Sequence, residues 1–223
     1  MEYIDFLSPL HKSTQRDYLA RVNDKDFPKN KAAELAKKWD FDYWDGDRRI
    51  NYGGYKYIEG RWEKVAKLMI DKYQLKNGHK ILDIGCGKGY LLYDFKKLLP
   101  DIEIYGVDIS KYAIDNSKPE IKHSLKVANA IDLPFDDNFF DFTYSLNTFH
   151  NLHCYDLEKA LLEMNRVSKS NQYICVESYR NETEKMNLLY WQVTCEMFCT
   201  PNEWLWWFDK CNYKGDYSFI YFE

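Results

Sequence analysis

The stretch "KILDIGCGKGY", residues 80–90, decides the fold of this 223-residue chain. An apolar, strand-like run leads into three alternating glycines, Gly85, Gly87 and Gly89. A helical pattern of apolar residues follows at once, in "YLLYDFKKLL". Glycines at a turn from strand to helix let a ligand approach the backbone amides at the helix N-terminus. The stretch therefore predicts a ligand site at the end of a buried strand.

Strand and helix patterns alternate on the C-terminal side of this stretch. Four further strands are predicted, in "IEIYGVDI", "LKVANA", "FDFTYSL" and "QYICVES", with helical segments between them. This alternation is typical of a parallel sheet with helices on both faces. We therefore predict an α/β, Rossmann-like, mostly parallel sheet whose ligand site lies beyond the carboxyl ends of the strands.

The segments on either side of this core have a different composition. Residues 1–61 are expected to form a loosely packed arm and a lid, because "DFDYWDGDRRINYGGYKYIEGRW", residues 40–62, crowds aromatics, arginines and glycines together without a regular period. Residues 181–223 are expected to supply a helical insertion after the fifth strand, a last helix and a terminal strand. With residues 62–180 as the core, we predict one domain over residues 1–223.

Composition excludes several classes of protein. The net charge of −4 offers no general attraction for a phosphate backbone, so nucleic acid is not an expected partner. The N-terminus has no signal-peptide pattern and no long apolar window occurs, so a cytoplasmic protein without membrane contact is expected. Six cysteines form no CxxC pair and are interpreted as reduced packing residues. Cys195 and Cys199 share a helical face, but no metal site is predicted.

Two acidic residues narrow the class of ligand. A dinucleotide fingerprint would need a third glycine at position 90, where this chain has Tyr90. Instead, Asp83 precedes the glycines by two residues, and Asp108 ends the second predicted strand. A carboxylate in the second position suits a ribose, whose two hydroxyls both donate hydrogen bonds.

The order and spacing of these motifs resemble the class I S-adenosylmethionine-dependent methyltransferases. The resemblance runs from about residue 60 to residue 180 and rests on "ILDIGCGKG", "YGVDIS", "VANAIDLPFDDNFFDF" and "RVSKSNQYICVES". It implies S-adenosylmethionine as the cofactor and methyl transfer as the activity. Members of this family usually end on an antiparallel pair of strands, whereas only one terminal strand, "DYSFIYFE", is clear here.

The resemblance also implies which residues bind the cofactor. In the family the glycine loop takes the homocysteine part, the second-strand acid holds the ribose, and a residue after the third strand reaches the adenine. The matching positions are Asp83, Gly85, Gly87, Gly89, Asp108, Ile109, Asn129 and Ala130. Asn129 stands where an acid is usual, although its side-chain oxygen still accepts a hydrogen bond from the exocyclic amine.

Candidate residues for the acceptor and for catalysis lie in three segments. In the family, the segment "SLNTFHNLH", residues 145–153, borders both cofactor and acceptor, and His150 is the candidate general base because its usual pKa suits proton transfer near neutrality. The lid segment supplies tyrosine hydroxyls and arginine guanidinium groups, which fit a small anionic or polyhydroxylated acceptor. The predicted acceptor-binding residues are Arg48, Arg49, Tyr52, Tyr55, Tyr57, Arg61, Asn147, Glu177, Tyr190 and Trp191.

Several alternatives stay open at this point. In the first alternative, His150 has only a structural role at the end of the strand. In the second, the aromatic segment 40–62 only excludes water, and its arginines stay solvated. A narrower likeness points to methyltransferases of bacterial surface-polysaccharide gene clusters, including those that form O-methyl phosphoramidate on capsules. A non-catalytic cofactor-binding protein and an N-methyltransferase of a small amine are the alternatives in function. The identity of the acceptor, the choice between O- and N-methylation and the oligomeric state are left undecided.

Overall fold

The computed structural model describes residues 1–10 and 16–223. Within them, helices and strands alternate as the sequence predicts. The strands are β1 Lys80–Ile84, β2 Glu103–Asp108, β3 Leu125–Val127, β4 Phe140–Leu146, β5 Ser168–Glu177 and β6 Asp216–Ile220. The helices are α1 Tyr18–Asn23, α2 Lys29–Ala36, α3 Phe41–Trp44, α4 Glu63–Tyr73, α5 Tyr90–Leu98, α6 Lys111–Asp115, α7 Cys154–Val167, α8 Glu182–Trp191 and α9 Pro201–Lys210.

The six strands form one sheet in the order β3-β2-β1-β4-β5-β6, and every neighbouring pair is parallel. The chain runs outward from β1 to β3 and then returns to the other side of β1 with β4. The loops that follow β1 and β4 therefore diverge and leave a crevice at the carboxyl edge of the sheet. This topology confirms the predicted Rossmann-like fold.

Helices cover both faces of the sheet because successive strand residues point to opposite sides. Ile81 packs on one face in a core cluster with residues of α4, α5 and α8, including Phe95. Leu82 and Ile84 pack on the other face with α7 and α9, including Leu161. Within residues 1–10 and 16–223, no helix has both the length and the apolar composition needed to cross a bilayer.

The edge of the sheet beyond β5 differs from what the family resemblance implies. β6 runs parallel to β5, and the N-terminal residues lie along its outer side. Ile4 donates its backbone N–H to Tyr217 O at 2.9 Å, and Tyr217 donates its own to Glu2 O at 3.0 Å. Phe6 and Leu7 are buried. The expectation of a loosely packed arm was therefore wrong for these residues, because they bury two large apolar side chains; residues 11–15 of the arm lie outside the described residues.

Residues 40–62, called the lid below, cover the carboxyl edge of the sheet. The lid begins with the short helix α3, and its aromatic rings pack against each other as well as against the core. The rings of Trp44 and Tyr52 are stacked, with 5.4 Å between their centroids and 7° between their planes. The lid therefore forms a roof of aromatic side chains over the crevice.

Candidate active site

The glycine loop after β1 leaves space next to its backbone, and several of its N–H groups already have hydrogen-bond partners within the protein. Gly85 has a φ of +84°, and a Cβ atom there would lie 1.9 Å from Thr148 Oγ1, so no side chain fits. The N–H groups of Gly85 and Cys86 both donate to Val107 O, and that of Gly89 donates to Cys86 O. These three amide groups are therefore bonded within the protein. What the loop offers a ligand is a bare backbone surface.

Asp108 holds this loop to the end of β2. Its Oδ2 accepts the Gly87 N–H at 2.7 Å, and its Oδ1 accepts the Ser110 N–H at 2.8 Å. Burial raises the pKa of Asp108 to about 6, even though both hydrogen bonds favour the ionised form. Each carboxylate oxygen keeps a further lone pair, so both still accept from a ribose diol.

Two adjoining cavities lie between the lid and the sheet. The first cavity, of about 140 Å³, is lined by the ends of β1, β2 and β4 and by lid aromatics. The second cavity, of about 230 Å³, continues from it toward β5 and α8. They share seven lining residues: Tyr43, Trp44, Tyr52, Gly85, Leu146, Asn147 and Asn151. Two ligands, one in each cavity, would therefore meet beside the glycine loop.

Most of the predicted cofactor residues line the first cavity. Those that the structure places there are Gly85, Asp108, Ile109, Asn129 and Ala130. Asp83 and Gly87 line the second cavity instead. Gly89 lines neither of these two cavities, because its α-carbon faces Ile121 and Leu125 and its positive φ serves the turn into α5.

Asp83 has an unusual environment for a carboxylate. It is 5% exposed, and its Oδ1 has no hydrogen-bond partner among the described residues. Burial raises its pKa well above the usual range against an opposing effect of the nearby Tyr144 hydroxyl, and the charge of Asp108 adds to the rise. A buried orphan carboxyl oxygen in the wall of a cavity marks a place for a cationic or hydrogen-bond-donating group of a ligand.

Most of the predicted acceptor residues line the second cavity. The structure places there Arg48, Tyr52, Tyr55, Arg61, Asn147, His150, Glu177 and Trp191. Three other predictions of cavity lining were wrong. Arg49 points outward, where it pairs with Asp47 at 2.6 Å. Tyr57 donates to Asp94 Oδ1 at 2.5 Å, outside the cavity. Tyr190 packs against the apolar core and does not line the second cavity.

An arginine cluster surrounds Trp191 at the mouth of the second cavity. The guanidinium carbons of Arg16, Arg21 and Arg48 lie 4.6, 4.8 and 5.6 Å from the centre of its ring. Within residues 1–10 and 16–223, no carboxylate forms an ion pair with any of the three. Burial, with the charges of Arg48 and Arg16, lowers the pKa of Arg21 to about 10. This concentration of unneutralised positive charge is suited to an anion.

Sequence reasoning missed two of these arginines and the lid tryptophan. Arg16 and Arg21 come from the polar arm, whose sequence gives no periodic signal that would direct them to α8. Trp44 lies above Gly87, since a Cβ atom on that glycine would be 2.7 Å from the indole ring. The crowding of aromatics in the lid sequence was the signal that could have identified Trp44.

Ionic and hydrogen bonds fasten the lid to the glycine loop. Lys88, only 4% exposed, contacts both carboxylate oxygens of Asp45, at 2.9 and 2.7 Å, and the Tyr55 carbonyl at 2.9 Å. Asp45 also accepts the hydroxyl of Tyr112 at 2.8 Å. The loop lysine therefore joins the wall of the first cavity to the roof over both cavities.

His150 lies in the second cavity but does not have the expected properties of a base. It is 2% exposed, and burial lowers its pKa to about 3 rather than leaving it near neutrality. Its Nδ1 accepts the backbone N–H of Glu177 at 3.3 Å. The carbonyl of His150 accepts two further bonds, from Glu196 and Met197, both at 2.9 Å. The residue is thus fixed on both its ring and its backbone.

Comparison with known proteins shows which part of the chain is shared with a family. The family model for the methyltransferase domain matches residues 75–212. A demethylmenaquinone methyltransferase of Symbiobacterium thermophilum is 33% identical over 128 residues, covering 53% of this chain and 50% of that protein. The O-methyltransferase rstn1 of Aspergillus nomiae is 27% identical over 141 residues, covering 60% of this chain and 59% of that protein. The chain spans about half the length of the curated relatives it matches.

A solved structure extends the likeness of fold over more of the chain. The [4+2]-cyclase SpnF superposes with a TM-score of 0.60 over 81% of this chain and 72% of its own, at 16% identity. At that identity the likeness concerns the fold alone.

Proposed function

The chain belongs to the methyltransferase domain family, and on this premise we propose that it transfers a methyl group from S-adenosylmethionine to a small anionic acceptor. The first cavity holds the cofactor and the second cavity holds the acceptor. The observation that carries the acceptor class is the arginine cluster around Trp191. One relative is named for demethylmenaquinone and the other only as an O-methyltransferase, so the acceptor is argued from the pocket of this chain.

The residues of the first cavity fit S-adenosylmethionine. Asp108 suits its ribose, and the unpaired carboxyl oxygen of Asp83, which lines the adjoining second cavity beside the glycine loop, suits its ammonium group. Asn129 and Ile109, at the far wall, suit the adenine. When bound, the cofactor supplies a methyl group on a positively charged sulfur. Trp44 and Tyr52 cover the junction of the cavities and exclude water, which favours attack by the acceptor over side reactions.

An anion in the second cavity would relieve the repulsion within the arginine cluster. Three guanidinium groups around one ring repel each other, and burial strengthens this repulsion. Contact with the Trp191 ring holds the arginine side chains in place but does not neutralise the charge of the guanidinium groups. A phosphate, phosphoramidate or carboxylate supplies the missing charge and accepts bidentate hydrogen bonds. The finer proposal is therefore a phosphorylated sugar or a phosphoramidate intermediate of capsule polysaccharide biosynthesis.

The experiment measures release of S-adenosylhomocysteine with a panel of phosphorylated sugars, phosphoramidates and carboxylates. Arg48→Met should raise KM for the anionic acceptor by about tenfold or more, because a charged hydrogen bond is lost. Methionine retains an apolar stem over Trp191, so packing is largely kept.

Arg49→Met is the matched control, because the neighbouring arginine points away from the cavity and pairs with Asp47. It should leave KM unchanged. Equal effects of the two substitutions would contradict an anion site at Trp191. Tight binding of the cofactor without turnover on any acceptor would favour the non-catalytic alternative.

A small amine is the second candidate acceptor. The observation that favours it is the buried carboxyl group of Glu177, which faces the second cavity and would pair with an ammonium group. Turnover of amines that carry no anionic group, with a rate that Arg48→Met does not change, would support this candidate over the anionic one.

A further inference from the structure

Glu177 presents an unpaired carboxyl oxygen to the second cavity. It is the last residue of β5 and is 5% exposed. Its Oε1 accepts a hydrogen bond from Gln192 Nε2, whereas its Oε2 has no hydrogen-bond partner among the described residues. A buried oxygen of this kind costs stability unless a ligand or a proton satisfies it. Its position in the cavity wall makes a ligand group the natural partner.

The two ring nitrogens of His150 both lie next to Glu177. Because Nδ1 accepts the Glu177 N–H, the neutral ring carries its proton on Nε2. Nε2 lies 3.5 Å from Glu177 Oε2. One ring nitrogen is thus occupied and the other holds a proton, which leaves no free lone pair to take a proton from an acceptor. The protonated ring nitrogen lies beside the carboxyl oxygen without forming a hydrogen bond to it.

We propose that Glu177 is the general base of this site and that His150 is a positioning residue that orients its carboxylate. The assignment rests on the proposed function and narrows it to an acceptor with two parts. An anionic group binds at the arginine cluster, and a hydroxyl or protonated amine faces Glu177. The acceptor O–H or N–H proton passes to Glu177, the freed electron pair forms the bond to the methyl carbon, and the electron pair of the broken carbon–sulfur bond stays on the sulfur. The proton then leaves to solvent with the product.

Among the groups that face it, Glu177 is the one whose pKa is raised to near neutrality, while Asp83, elsewhere in the second cavity, has a pKa raised in the same direction. Burial raises the pKa of Glu177 to about 8, against a smaller opposing effect of the Gln192 hydrogen bond. The titratable groups that face it come from the lid, from the turn after β4, from β5 and from the segment after α8: Tyr43, Tyr52, His150, Cys175 and Cys195. The pKa values of both tyrosines and both cysteines are raised by burial and that of His150 is lowered, so all five stay uncharged between pH 6 and 9.

The first test reads the carboxyl group without any turnover. In protein labelled with ¹³C at the glutamate carboxyl carbons, one resonance should titrate near pH 8 and should vanish in Glu177→Gln. Glu184→Gln is the matched control, because Glu184 is also buried but is paired with Arg180, which helps to lower its pKa. That variant should keep the resonance near pH 8.

The second test is the pH profile of kcat with an acceptor that bears a hydroxyl and an anionic group. The wild-type rate should rise with pH to a plateau above the Glu177 pKa. Glu177→Gln should lose this rise and about a hundredfold or more of kcat, the usual scale for a positioned base. His150→Phe should keep the rise, because the ring does not take the proton, and should lower kcat, because the Glu177 backbone N–H loses its acceptor. Gln192→Leu should move the rise to higher pH, because the hydrogen bond that lowers the pKa of Glu177 is gone, and it serves if Glu177→Gln fails to fold.

Three outcomes would overturn the assignment. A profile that survives in Glu177→Gln and disappears in His150→Phe would make the histidine the base. A wild-type rate that is independent of pH, as for an already ionised phosphoryl oxygen, would remove the need for a base. Normal turnover with no carboxyl titrating above pH 7 would overturn the base alone, whereas a wild-type protein that turns over no acceptor would overturn the proposed function as well.

Discussion

The two cavities are built in different ways, although they share a wall. The first cavity is formed mainly by short segments at the ends of β1, β2, β3 and β4, with aromatic side chains of the lid as its roof. The second cavity is formed largely by long side chains that come from widely separated parts of the chain, from Leu10 in the arm to Phe222 near the C-terminus. The topology of the sheet shapes the first cavity, whereas the arm, the lid and α8 shape the second cavity.

This difference separates what the family shares from what this chain adds. The family match begins at residue 75, so it includes the glycine loop, Asp108 and Asn129. The cavity arginines Arg16, Arg48 and Arg61 all precede it. On the proposed function, the arginines that would bind the acceptor therefore lie in residues that the family model does not cover, whereas Glu177 and Trp191 lie within it.

The largest expected effect is on the contact that joins the two regions. Asp45→Asn should lower the free energy of unfolding by about 3 kcal/mol, because it leaves the buried ammonium group of Lys88 without its counter-charge. The double variant Asp45→Asn/Lys88→Met should recover most of that loss. Urea denaturation measures both values, and calorimetry should show weaker binding of S-adenosylhomocysteine in the single variant.

Asp47→Asn is the control for this experiment. Asp47 is another lid carboxylate that pairs with an arginine, but the pair is solvent-exposed. Its substitution should leave the unfolding transition in place. If Asp45→Asn also left the free energy of unfolding unchanged, the ion pair would not couple the lid to the glycine loop. The two cavities would then be stabilised independently of each other.

The same difference explains how far the sequence predicted the molecule. The parallel sheet, the glycine loop and the positions of Asp108 and Asn129 follow from local motifs whose spacing is fixed by the sheet. Arg16 and Arg21 could not be predicted, because their place depends on how the arm packs on α8. Arg49 and Tyr57 were wrongly assigned because an irregular segment has no period that tells which side chains point inward. His150 was placed in the site, but its protonation depends on burial and on a partner from another strand.

The second effect concerns the glycine loop alone. Gly85→Ala should destabilise the protein by about 2 kcal/mol more than Gly78→Ala, in the range expected for overpacking. Both glycines have a φ of +84°, so backbone strain is the same in the two variants. Only at Gly85 would the new Cβ meet a neighbour, Thr148, whereas Gly78 faces open space. Urea denaturation gives the difference directly, and equal losses would show that the loop has room and that its glycine serves the turn only.

The smallest effect tests whether Asp108 serves the ligand as well as the loop. Asp108→Asn should weaken binding of S-adenosylhomocysteine by about 1.4 kcal/mol, roughly tenfold, because the ribose hydroxyls lose a charged acceptor. Wild-type affinity should rise with pH through about 6, the pKa of Asp108, and the variant should lose this rise. Asp115→Asn, an exposed residue on nearby α6, should change neither.

Asp108 should also make stability depend on pH in the direction opposite to its effect on affinity. Because its pKa in the folded protein is raised above the value of 3.8, the folded protein keeps a proton that the unfolded chain has already released. The stability contribution of Asp108 without ligand is therefore lost as the pH rises from about 4 to 6, while its contribution to ligand affinity grows. Thermal unfolding of wild type and Asp108→Asn, with and without S-adenosylhomocysteine, separates the two slopes. Parallel curves in both conditions would mean that Asp108 only holds the loop and does not contact the ribose.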